Sequence, residues 1–171
     1  LAARIGKAIL RWTALIGGLV VSVPAAAVTG SGVDLPAVAY RLDYDSYSHP
    51  LPEWAWGHVA LCVASIILLV GATRWRIRRV NIAQVIGAAW MGLWTLFFAG
   101  LRYAFRFPGG EDIEPCVRAN CWPAGVQELL AASPLLMACA AMIVVAFFAK
   151  RLNWVARALI PAAVYLAARI V

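Results

Sequence analysis

Four stretches of the chain are almost wholly apolar and free of Asp, Glu, Lys and Arg: one within 12–33, then 54–73, 80–101 and 129–149. Each approaches the ~20 residues that a helix rising ~1.5 Å per residue needs to cross a hydrocarbon core of ~30 Å. Lipid cannot hydrogen-bond a peptide backbone, so such stretches predict helices and not open strands. The first span is read as 12–30, ending near Thr29–Gly30.

The tail after Leu152 is apolar apart from Asn153, Arg157 and Arg169. An arginine at a helix centre costs ~2.5–3.5 kcal/mol on insertion scales. These two lie near opposite ends, about 18 Å apart along a helix, where long side chains are expected to snorkel outward. The competing pattern is an interfacial helix, because Asn153, Arg157, Pro161, Tyr165 and Arg169 recur every four residues. That stripe drifts round a helix, which favours a fifth span over 154–171. The spans leave two sizeable polar connections, 31–53 and 102–128. Within the first, Val38 to Tyr44 alternates in a manner compatible with a short strand, and Pro36, Pro50 and Pro52 make the remainder irregular. The expected fold is one all-α transmembrane domain over 1–171: a bundle of four transmembrane helices, a favoured fifth and two extracytoplasmic loops.

Composition agrees with this pattern. Residues of the set AVILMFWYC make up 64% of the 171, above the ~45–50% of soluble domains. Charged residues make up 13%, about half the usual share, too few to cover a water-facing surface. Soluble, disordered and collagen-like classes are excluded.

Charge gives the orientation. Arg4, Lys7, Arg11, Arg74, Arg76, Arg78, Arg79, Lys150, Arg151 and Arg157 fall on one side of the spans. The other side has Arg41, Arg102, Arg106 and Arg118 with all eight acids: Asp34, Asp43, Asp45, Glu53, Glu111, Asp112, Glu114 and Glu128. By the positive-inside rule the N-terminus is cytoplasmic and both long loops lie outside, in a multi-pass membrane protein. The net charge of +7 then serves orientation and attraction to anionic lipid heads, and nucleic acid is not an expected partner. The start also resembles a cleavable signal peptide, with basic residues, an apolar run and Val23-Pro24-Ala25-Ala26-Ala27. The uncleaved anchor is preferred, and the opening on Leu1 leads us to expect residues ahead of it.

Candidate chemistry is sparse. Cys116 and Cys121 lie in an outer loop, where an oxidising compartment favours a disulfide that would order a loop lacking its own core. A redox pair is the alternative, but such sites normally use C-x-x-C. Cys62 and Cys139 fall within spans and read as small hydrophobes. His49 and His58 make neither a bis-histidine haem site nor a metal constellation, so no metal and no cofactor is expected. No acid lies at mid-membrane depth; Glu128, at the outer start of the fourth span, reads as a helix-capping charge. Arg102 and Arg106, one turn apart at the outer end of the third span, form a possible clamp for a lipid head-group phosphate, or else pair with loop acids. Ser133, before Pro134, reads as a bend residue whose hydroxyl helps satisfy freed backbone carbonyls.

Trp12, Trp54, Trp56, Trp75, Trp122 and Trp154 sit near span ends, as an aromatic belt requires. Trp90 and Trp94 lie mid-span beside Gly87, Ala88 and Gly92, a small-x-x-x-small face suited to helix packing. That face packs either within the bundle or against a partner helix.

Two stretches, Tyr40-Arg41-Leu42-Asp43-Tyr44-Asp45-Ser46-Tyr47-Ser48-His49-Pro50 and Glu114-Pro115-Cys116 through Cys121-Trp122-Pro123, complete the picture. With the four-span layout they resemble actinobacterial conserved membrane proteins. Among these the chain resembles the lipid uptake coordinator, an accessory subunit of Mce lipid-import complexes. The resemblance implies docking beside the permease subunits of an ATP-driven lipid importer and carries over no catalytic residue. The expectation is therefore a non-enzymatic accessory subunit whose partners are membrane lipids and other membrane-protein subunits. The alternatives are a stand-alone lipid or solute carrier and, less favoured, a thiol-disulfide oxidoreductase using Cys116 and Cys121.

Overall fold

The structure, a computed structural model, describes residues 2–31, 53–73, 81–106 and 124–170. Among the described residues there are five helices and no strand: α1 Ala2–Ser31, α2 Glu53–Gly71, α3 Ile82–Arg106, α4 Ala124–Phe147 and α5 Trp154–Ile170. The strand suggested at Val38–Tyr44 lies outside the described residues, as does most of both outer loops. Stretches of α1 (Ala3–Ala27) and α3 (Ile82–Leu101) are long and apolar enough to cross a membrane, and the rest of the chain leaves most of each unburied. Shorter apolar helices, Trp56–Gly71 and Ala132–Phe147, belong to α2 and α4.

Local chemistry sets the element ends. α1 begins ten residues ahead of the apolar stretch at Trp12, because Arg and Lys are good helix formers and do not interrupt the turn. Asparagine starts two helices. The Asn81 carbonyl accepts from the Gln84 and Val85 amides at 2.9 and 3.1 Å, and Asn153 Oδ1 accepts from the Ala156 amide at 2.7 Å. Prolines stand inside three helices, Pro24, Pro134 and Pro161. Pro134 has no N–H for the carbonyl four residues back, and the Ser133 hydroxyl donates to that Leu130 carbonyl at 2.7 Å. The role read for Ser133 from sequence is the one it fills.

The helices form a ring. α1 packs against α2 and α3, α3 against α4, α4 against α5, and α5 returns, over a smaller contact, to α2. The consecutive pair α2 and α3 touch far less, since α1 lies between them. The α1–α2 crossing is close: a Cβ on Gly18 would stand 2.8 Å from Leu69 Cδ2 and 3.1 Å from the Leu69 backbone nitrogen. From this crossing α1 leaves the bundle towards its N-terminus, where residues 3–10 are all exposed. Towards its C-terminus Ser22, Ala25 and Ala26 are fully buried. Since α2 continues only a turn beyond Leu69, α1 runs antiparallel to α2 and its first turns stand clear of the Thr73 end.

One core cluster joins Ala25, Ala26, Cys62, Ile66, Leu69, Val70, Ala88, Met91, Leu135, Ala138, Cys139, Met142, Ala158 and Tyr165, so every helix contributes to it. The outside is as apolar as the inside. Exposed large hydrophobics occur on all five helices, among them Ile16, Trp56, Leu93, Val144 and Leu159.

Candidate functional site

Many of the polar side chains among the described residues are enclosed. Ser22, Ser65, Thr73, Asn81, Gln84, Thr95, Arg157 and Arg169 are buried. Most consequential is Arg157, in the first turn of α5 and 2% exposed. Its Nη2 donates to Thr73 Oγ1, just past α2, and to Gln84 Oε1, on α3, each at 2.6 Å. Gln84 Nε2 donates in turn to the Met142 carbonyl of α4 at 2.7 Å, and Thr73 Oγ1 to the Val70 carbonyl at 2.7 Å. Only one amide orientation lets Gln84 accept from a guanidinium and donate to a carbonyl at once, so the network fixes it. Four helix ends are thereby tied at one end of the ring. The guanidinium does not titrate near neutral pH, so this cluster binds and positions and offers no general acid or base.

A second polar group lies further along α5. Arg169 Nη1 faces Tyr165 Oη at 3.5 Å, long for a hydrogen bond, and Tyr165 is fully buried. Cys62 and Cys139 are buried and form no disulfide, in keeping with their reading as small hydrophobes. Ser65 Oγ sits 3.5 Å from the Gly18 carbonyl and 3.6 Å from Met91 Sδ. Among the described residues no three His, Cys, Asp or Glu side chains gather as metal ligands.

The stripe read from the sequence of the tail takes on a different meaning here. Arg157, Pro161, Tyr165 and Arg169 form the buried face of α5, and Asn153 caps its start. The expectation that both arginines snorkel outward is corrected, because hydrogen-bonding oxygens inside the ring offer the guanidinium of Arg157 better partners than lipid does. Leu159, Ile160 and Leu166 face outward instead. An interfacial helix would turn its polar stripe to water, and α5 turns it to the protein.

The remaining candidates are placed as follows. Gly87 and Ala88 are buried, and a Cβ on Gly87 would meet Leu69 Cδ2 at 2.7 Å. Gly92 faces Cys139 of α4, with 3.9 Å from a built Cβ to Sγ. The small side of α3 is thus used within the chain. Trp90 remains 39% exposed, and half-buried Trp94 packs between it and the phenyl rings. Trp94 lies 5.6 Å from Trp90 and 5.3 Å from Phe97 edge-on, and stacks on Phe98 at 5.6 Å. Arg102 and Arg106 belong to the last turns of α3, and their side chains lie outside the described residues. So do Cys116, Cys121 and the Glu128 side chain. His58 is half-buried one turn into α2.

Neutral polar residues carried the site that a tally of formal charges passes over. Thr73, Asn81 and Gln84 flank or enter otherwise apolar stretches, and that interruption is the sequence signal for the Arg157 network. Comparison with protein-family models, curated proteins and solved structures returns no match.

Proposed function

We propose that the chain is a multi-pass protein of a bacterial inner membrane, N-terminus cytoplasmic, that serves as a non-enzymatic accessory subunit of a larger membrane complex. One observation carries the membrane reading: the bundle shows large apolar side chains on its outside while enclosing a polar cluster. A water-soluble protein buries apolar side chains and solvates polar ones. Here Arg157, Gln84 and Thr73 are enclosed and hydrogen-bonded, while Trp12, Val20, Leu93, Phe147 and Leu159 lie open. On this reading four helices span, and α5 is the fifth, inserted with its arginines turned to the protein.

The accessory role is supported by how the polar groups are used. The hydrogen bonds of Arg157, Gln84 and Ser65 tie one helix of the chain to another, which builds a scaffold. The face left over on α3, Ile82, Ile86, Trp90, Leu93 and Phe97, is broad, aromatic and open to a neighbouring transmembrane helix. An Mce-type lipid importer, with permease subunits for α3 to lie against, is the complex that best matches the resemblance in the sequence. The test is purification of the intact chain from its own membranes in mild detergent, followed by mass spectrometry of what accompanies it. Stoichiometric permease-like chains are the expected result. A chain that runs alone rejects the accessory role and favours a stand-alone carrier.

A further inference from the structure

α1 is longer than the hydrocarbon core of a membrane. Its 30 residues span about 45 Å, against a hydrocarbon core of ~30 Å. The surplus of ~15 Å corresponds to about ten residues, the stretch ahead of Trp12 that leaves the bundle at the Thr73 end. That stretch carries two adjoining stripes. Arg4, Lys7 and Arg11 recur at i, i+3 and i+7 on one. Ile5, Ile9, Trp12 and Ile16 follow at i, i+4, i+7 and i+11 on the next, each more than half exposed. Arg4 and Lys7 are exposed, and half-buried Arg11 has an enclosed Nε with no hydrogen-bond acceptor among the described residues. Lys150 and Arg151, in the α4–α5 turn, are exposed at the same end. No Asp or Glu occurs in 1–33, 54–110 or 129–171, so no segment reaching this end supplies a carboxylate.

From this juxtaposition we infer that the first turns of α1 bind anionic phospholipid, Arg4, Lys7 and Arg11 taking head-group phosphates while Ile5 and Ile9 lie against the lipid backbone at head-group level and Trp12 meets the acyl boundary. An acidic soluble partner would satisfy the cations but leave the adjoining isoleucines and Trp12 in water. A lipid surface satisfies both stripes in the order in which α1 presents them. The inference rests on the membrane reading and is independent of a partner subunit.

The experiment places the full chain in nanodiscs of mixed phosphatidylglycerol and phosphatidylcholine. It reads the relative association of spin-labelled phosphatidylglycerol over spin-labelled phosphatidylcholine. A several-fold preference is expected, reduced by salt and brought close to unity in Arg4→Gln/Lys7→Gln/Arg11→Gln. The charge-conserving Arg4→Lys/Lys7→Arg/Arg11→Lys should keep most of it. Should the triple glutamine variant fail to fold, the three single variants should each lower the preference. No preference in the native chain, or one that the glutamine changes leave intact, overturns the inference. Displacement of the lipid by millimolar inorganic phosphate also overturns it, since the site would then be a free-phosphate site. A chain that does not enter nanodiscs at all rejects the membrane reading itself.

Discussion

Two neutral acceptors at 2.6 Å hold one nitrogen of the Arg157 guanidinium. Removing one partner of a buried hydrogen bond costs more than removing both, because the survivor is left desolvated. Arg157→Leu should therefore destabilise the detergent-solubilised chain by about 2–4 kcal/mol, mainly through an orphaned Gln84 Oε1. The double change Arg157→Leu/Gln84→Leu should recover part of that loss. Reversible unfolding followed by tryptophan fluorescence measures both, and equal losses in the single and double variants would exclude the coupling. Little of this cluster is legible from charge alone. The charge pattern groups Arg157 with the other cations of one side, but it says nothing of which way the side chain turns. That direction depends on Thr73 and Gln84, which are 84 and 73 residues away in sequence.

At the level of the helix, spacing is set by residues that have no side chain to offer. A Cβ on Gly18 would press on Leu69 Cδ2 and Cγ at 2.8 and 2.9 Å and on its backbone nitrogen at 3.1 Å, whereas on Gly87 it would press only on Leu69 side-chain atoms. A side chain can move aside and a backbone cannot. Gly18→Ala should accordingly cost about 1–3 kcal/mol, and Gly87→Ala less. Truncating the shared neighbour, Leu69→Ala, should relieve Gly87→Ala more fully than Gly18→Ala. Gly100 meets nothing within 4 Å, and Gly100→Ala should be neutral or stabilising by up to about 1 kcal/mol. Unfolding of the four variants in one detergent orders them. The helices themselves are largely legible from unbroken apolar length. Their contacts are legible in part: Gly87, Ala88 and Gly92 are visible as a small face, and Gly18, Ser22 and Ala26 repeat the same spacing on α1. Sequence spacing identifies such a face without naming its occupant, because a partner helix and a helix of the same chain present the same surface.

For the whole molecule, the proposed orientation rests on a separation of charge, every acid falling within the segments 34–53 and 111–128. Fusion of compartment reporters after Arg76 and after Glu111 should place the first in the cytosol and the second outside. Both reporters in one compartment would overturn the threading proposed above. The ring order of the helices has no counterpart in the linear pattern, since hydropathy marks segments and not neighbours. That α1 separates α2 from α3 emerges only from packing.

The segment that closes the ring is made after the other four helices. Until Trp154–Ile170 has been made and inserted, Thr73 and Gln84 have no guanidinium to hold, and the contact between α2 and α5 does not exist. A chain stopped ahead of Asn153 would leave Thr73 and Gln84 without that guanidinium, on or beside helices whose outward faces carry large exposed hydrophobic side chains.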